Sequence, residues 1–150
     1  MRINRVFLGL LFVSILVLSI TVVAQVNRPY HDGSVWTISQ IRVKPGMGAA
    51  YMTYLSSQWK TNQEAAKKEG IILSYKVITT EAHGVQDFNL LLMTEYKDLA
   101  TMEANADKQE ALGQKMVGDD QKQMQGYKDR SEIREVIGTR LGREIILSPK

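Results

Sequence analysis

There is no cysteine anywhere in this chain. That absence excludes a disulfide framework, a thiol nucleophile, a thiolate metal site and lipid attachment through a cysteine. Histidine is nearly as scarce, with His31 and His83 the only two. Neither sits in a His-x-x-x-His spacing or a His/Glu cluster, so the usual metal-ligating patterns are missing. No Gly-x-Ser-x-Gly elbow occurs, which leaves nucleophilic acyl transfer without its scaffold. Gly113, Gly118, Gly126 and Gly138 do not make a phosphate-cradling loop after a strand. A strong charge of one sign is lacking as well, with 19 basic residues against 16 acidic ones. No Lys/Arg cluster with interleaved aromatics appears, so the composition argues against a nucleic-acid partner. No cofactor is expected.

One long apolar run is present. Arg2 and Arg5 precede it, and residues 6–23 are broken only by Gly9, Ser14, Ser19 and Thr21. The run ends Val22-Val23-Ala24 before polar Gln25, and the small residues at 22 and 24 suit signal-peptidase cleavage after Ala24. Residues 1–24 are therefore expected to be a signal peptide, and the protein to be exported to a periplasm or secreted, with no membrane association after cleavage. The alternative is a retained anchor, because the run is close to the roughly 18 residues a spanning helix needs. Cleavage would also remove two positive charges and bring the chain to near neutrality, so its basic character says little about partners.

Residues 25–34, with Pro29 and Gly33 and no periodicity, are expected to form a flexible arm. Residues 35–150 are expected to be a single domain. Residues 35–43 alternate as a strand, with Trp36, Ile38, Gln40 and Arg42 in one phase and Val35, Thr37, Ser39, Ile41 and Val43 in the other. Lys44-Pro45-Gly46 stops it. A helix is predicted over 47–69, where Tyr51, Leu55 and Trp59 form one apolar stripe and Gly70 suits the position after its end. Strands are predicted over 71–79 and 88–96, separated by a polar turn that contains His83. The second of these reads as a central strand buried on both faces. Asp98 caps a second helix carrying Leu99, Met102 and Ala106.

The segment 113–140 is polar and glycine-punctuated. Helix is expected over 119–128. Residues 133–137 fit either helix or the start of a strand, and 143–147 read as the last strand. The order strand, helix, strand, strand, helix, strand is the split βαβ of a ferredoxin-like fold. This is α+β architecture, with a four-stranded antiparallel sheet, helices on one face and an extra helical segment before the last strand. The uncovered face would carry Trp36, Ile38, Leu91 and Met93, which predicts a homodimer through that face.

Trp36-Thr-Ile-Ser-Gln-Ile-Arg-Val-Lys-Pro-Gly46 resembles the first strand and turn of the dimeric α/β-barrel superfamily, which includes antibiotic-biosynthesis-monooxygenase-like domains. The helix ending at Gly70, the strand with Tyr75, and Leu91-Leu-Met-Thr-Glu-Tyr-Lys-Asp98 before a helix are similar too. The likeness covers residues 35–112 and the last strand. It implies the same fold, and a cofactor-free oxygenase acting on a small aromatic substrate as one possible activity. Haem-degrading members imply a histidine on the second helix, and residues 97–115 contain none. The long polar segment after that helix departs from the pattern, and a lid, a dimer contact and a surface insertion all remain open for it.

The candidate site falls on the open sheet face. Trp36, Gln40, Arg42, Ser74, Lys76, Asn89 and Glu95 are the candidate cavity-lining residues. Arg42 would bind an anion or carbonyl, Asn89 would orient an oxygen, Glu95 would be the base and Trp36 an aromatic wall. The competing reading has Arg42, Glu95 and Lys76 paired across the sheet or a dimer interface. Tyr51 and Trp59 are expected in the core, and His31 and His83 on the surface. Two classes of function stand, an exported domain that binds a small molecule or simply dimerises, and a cofactor-free oxygenase.

Overall fold

The computed structural model describes residues 28–85 and 87–149, so the expected signal peptide lies outside the described residues. Strand β1 spans Tyr30–Val43. Helix α1 follows as one continuous rod in three parts, α-helical Gly48–Tyr54, a π-helical turn Leu55–Trp59 and α-helical Lys60–Lys68. Then come β2 Ser74–Thr79, β3 Leu90–Tyr96, α2 Leu99–Ala104, α3 Ala106–Val117, α4 Asp120–Ser131 and β4 Arg134–Leu147.

The strands form one antiparallel sheet in the order β2-β3-β1-β4. With its two helical crossovers, α1 between β1 and β2 and α2 to α4 between β3 and β4, this is the ferredoxin-like fold expected from the element order. The cores lie on the helical side. One cluster joins Ile41 and Leu90 of the sheet to Tyr51 and Leu55 of α1. The other joins Ala66, Ile71, Ile72 and Tyr96.

Local chemistry explains the boundaries. Gly70 ends α1 with φ +69 and donates to Lys67 O, while Ile71 N–H reaches back to Ala66 O. These two bonds satisfy carbonyls that the helix end leaves open, and they tuck Ile71 against Ala66. Asp98 accepts from Thr101 N–H at the start of α2, and Asp119 from Lys122 N–H at the start of α4. Both are N-caps that satisfy orphan donors of the first turn.

Several boundaries differ from expectation. Residues 30–34 are the first residues of β1, where a flexible arm was expected, and Tyr30, His31 and Asp32 pair with Leu147, Ile146 and Ile145. Ladder bonds to β4 outweigh the local punctuation, and Gly33 falls within the register shift between Asp32 and Val35 that absorbs it. Residues 71–73 are not strand; Ile71 and Ile72 turn into the core. Strand β3 is central but not buried on both faces, because only Leu90 and Tyr96 are buried and its other face is open. Residues 133–147, read as two pieces, contain one strand with an irregularity opposite Gln40 and Ile41.

Candidate functional site

Register places the predicted face residues. Trp36 pairs with Glu95 and Gly142, and Glu95 pairs with Ser74. Ile38 pairs with Met93 and Arg140, and Met93 with Lys76. Gln40 pairs with Leu91 and Gly138. Directly opposite residues share a face, so Trp36, Gln40, Arg42, Ser74, Lys76 and Glu95 all project from the open side. They do not converge on one point. At about 3.3 Å per residue, Arg42 stands roughly 20 Å along the strand from Trp36.

All of them but Gln40 are seen engaged with a neighbour. Lys76 Nζ lies 4.9 Å from the centroid of the Trp36 ring. Ser74 Oγ donates to Glu95. Arg42 is ion-paired with Glu135 and donates to Val85 O at 2.9 Å. Asn89 lies just before β3, and its Oδ1 accepts from Val43 N–H at 2.9 Å. It clamps the end of β1 in place of aiming at a substrate. His31 and His83 are both exposed. Among the described residues no group of three or more His, Asp or Glu could hold a metal ion.

A cavity of about 320 Å³ lies on the other side of the sheet, between α1, α3 and α4. Its volume is at the lower end of the roughly 300–1,000 Å³ typical of small-molecule sites. Tyr54 and Trp59 of α1 and Tyr127 of α4 give it aromatic walls. Five carboxamides, Gln58, Asn62, Gln63, Gln109 and Gln123, line it, and Arg130 is its sole charged residue. Gly113 leaves room, since a Cβ there would meet nothing nearer than the Gln123 amide at 4.0 Å. Trp59 is held edge-on by Tyr75, ring centroids 5.3 Å apart.

Two arginines, Arg130 on the wall and Arg134 behind it, act on Tyr54. Burial raises the Tyr54 phenol above its ordinary pKa, and the neighbouring Arg130 and Arg134 charges oppose that rise. Burial likewise pushes Tyr51 up to about 12, against the pull of Arg134 and Arg130. A second, shallower depression is lined by Val43, Lys44, Pro45, Gly46, Tyr51 and Asn89, among others. Asn89 is the one predicted site residue that borders either space.

Sequence reading missed the helical cleft because its walls come from three helices that no local pattern brings together. The available signal was the run of Gln and Asn on α1, α3 and α4, spaced at helical intervals beside aromatics.

No family of known proteins matches this sequence, and no curated protein matches it. Solved structures do resemble the fold. HapK from Hahella chejuensis aligns over 73% of this chain and 91% of its own, at 12% identity and a TM-score of 0.49. A NIPSNAP family protein of unknown function from Agrobacterium tumefaciens aligns over 80% and 94%, at 15% identity and 0.49. A dimeric ferredoxin-like protein from an uncultured marine organism aligns over 80% and 100%, at 13% identity and 0.47.

Proposed function

We propose that this protein is an exported, homodimeric small-molecule-binding domain whose ligand occupies the cleft between α1, α3 and α4. The observation that carries this reading is the cleft itself, a volume of about 320 Å³ with three aromatic rings, five carboxamides and no carboxylate on its walls. Carboxamides offer both donors and acceptors without charge, which suits a polar organic molecule better than a metal or a polyanion.

The open sheet face is assigned to the second copy. Trp36, Ile38, Leu91, Met93 and Ile78 form an apolar field there, and Ile78 is 42% exposed. On the β4 side of that field Gly138 and Gly142 carry no side chain, and Arg140 stands between them opposite Ile38. Met93→Lys is expected to weaken association by burying an unpaired charge. Sedimentation at micromolar concentration measures this, and a wild-type monomer would remove the dimer from the reading. Export predicts mature protein beginning at Gln25, which intact mass reads directly.

The cleft is tested by filling it. Gly113→Leu should raise helix propensity by up to about 1 kcal/mol while occupying the ligand volume. Ligands that raise the melting temperature of the wild type through native-state binding should then lose their effect. Ligand shifts of equal size in Gly113→Leu would place the binding site elsewhere.

A further inference from the structure

We infer that the ligand of this cleft is a small aromatic monocarboxylate bearing hydrogen-bonding substituents, with its carboxylate held by Arg130. The inference rests on the cleft being the binding site and adds the chemistry of what enters it.

The charge inventory comes first. Arg130 is the one ionised side chain on a wall otherwise made of amides, aromatics and aliphatic groups. The ion pairs among the described residues engage Arg42, Lys108 and Arg143. Arg130 Nε is buried and has no hydrogen-bond partner among the described residues. A buried donor without a partner is costly, and a small turn of the guanidinium toward the cavity would give it one when an anion arrives.

Its placement suits the task. The guanidinium lies 5.2 Å from the Tyr54 ring centroid and 4.7 Å from that of Tyr127, so two rings fix it. A guanidinium stacked on a ring by its face keeps its N–H edges for a bidentate oxyanion. Gly126, one helical turn earlier on α4, makes room for it, because a Cβ there would fall 2.9 Å from Arg130 Nη1.

The remainder of the wall restricts the rest of the molecule. The lining offers one cation and no carboxylate, so one negative charge is matched by direct contact, whereas a phosphate monoester would set close to two against that single lining cation. Tyr54, Trp59 and Tyr127 favour a planar apolar body. Gln58, Asn62 and Gln63 on α1 and Gln109 on α3 meet hydroxyl or carbonyl substituents, while Gln123 already donates its Nε2 to Gly118 O at 3.0 Å.

The experiment pairs acids with their neutral amides. Hydroxybenzoates and hydroxycinnamates, and the matching carboxamides, are titrated at constant ionic strength into the full mature protein and followed by thermal shift and calorimetry. At least one acid should bind, and its amide should bind more weakly by roughly ten- to a hundredfold, the scale of one charge-assisted hydrogen-bonded pair. Arg130→Met should erase that preference, Arg130→Lys should keep part of it, and Gly126→Ala should reduce it by displacing the guanidinium. Acid and amide binding alike in a manner blocked by Gly113→Leu, with Arg130→Met without effect, would overturn the carboxylate and leave the cleft standing. No binding by any member, or binding indifferent to Gly113→Leu, would overturn the carboxylate and count against the cleft as well.

Discussion

Helices α1 and α4 both belong to the helical layer, yet they are anchored on different terms. Helix α1 buries Tyr51, Leu55 and Ala66 against the sheet. Helices α3 and α4 bury none of their residues completely, and Met124 and Tyr127 of α4 remain 60% and 65% exposed. One wall of the cleft is therefore part of the core, and the opposite wall is a polar pair of helices resting beside it. Segments with few buried apolar contacts open at lower free energy than the core. A cleft between a fixed wall and a yielding one can widen without unfolding the domain.

The sharpest way to break this contrast is to cut the fixed wall. Leu55→Ala should lower global stability by about 2–5 kcal/mol, since it leaves a cavity beside Ile41 and Leu90. Urea unfolding measures it, and a loss well under 1 kcal/mol would show that α1 is no more firmly anchored than α4. Gly118 joins α3 to α4 at φ +114, and a Cβ there would meet Lys122 Cδ at 2.6 Å. Gly118→Ala should cost about 1–3 kcal/mol in backbone strain, read as faster amide exchange in α3 and α4 with α1 and β3 unchanged.

Asp119→Ala removes the cap of α4 and should cost about 1 kcal/mol. Exchange confined to the α4 amides is expected, and equal acceleration in α1 would join the two regions into one cooperative unit. The smallest effect at neutral pH belongs to Tyr51→Phe. Burial raises the Tyr51 pKa from 10.0 to about 12. The unfolded chain then loses its phenol proton before the folded one does, so stability is intact below about pH 10 and falls as pH rises toward 12. Tyr51→Phe should flatten that alkaline fall in a series of thermal melts, and an unchanged slope would remove Tyr51 as its source.

Elements set by neighbours in the chain could be read in advance. Asp98 as a cap, Gly70 at the end of α1 and the stripe of Tyr51 and Leu55 all appear where spacing placed them. Strand parity also put Trp36, Gln40, Arg42, Ser74, Lys76 and Glu95 on one face. Parity cannot say how far apart residues stand along a sheet or who their partners are. Arg42 thus met Glu135, a residue from a segment whose structure stayed ambiguous, and Asn89 turned to the backbone of Val43. Nor did local punctuation reveal that residues 30–34 would find a ladder on β4.

The sequence by itself determined the order of elements, the caps and turns between them, and the division of each strand into an inner and an outer phase. Those depend on periodicity and on backbone preferences that act over a few residues. Only the tertiary structure decided that the cleft lies between the helices and not over the sheet. That choice depends on how α3 and α4 pack against α1, which brings Tyr54, Gln123 and Arg130 to one cleft through contacts between residues far apart in the chain. The outer face of the sheet stays open for a different reason. A single layer of helices covers one side of a four-stranded sheet, and the other side stays outside the core.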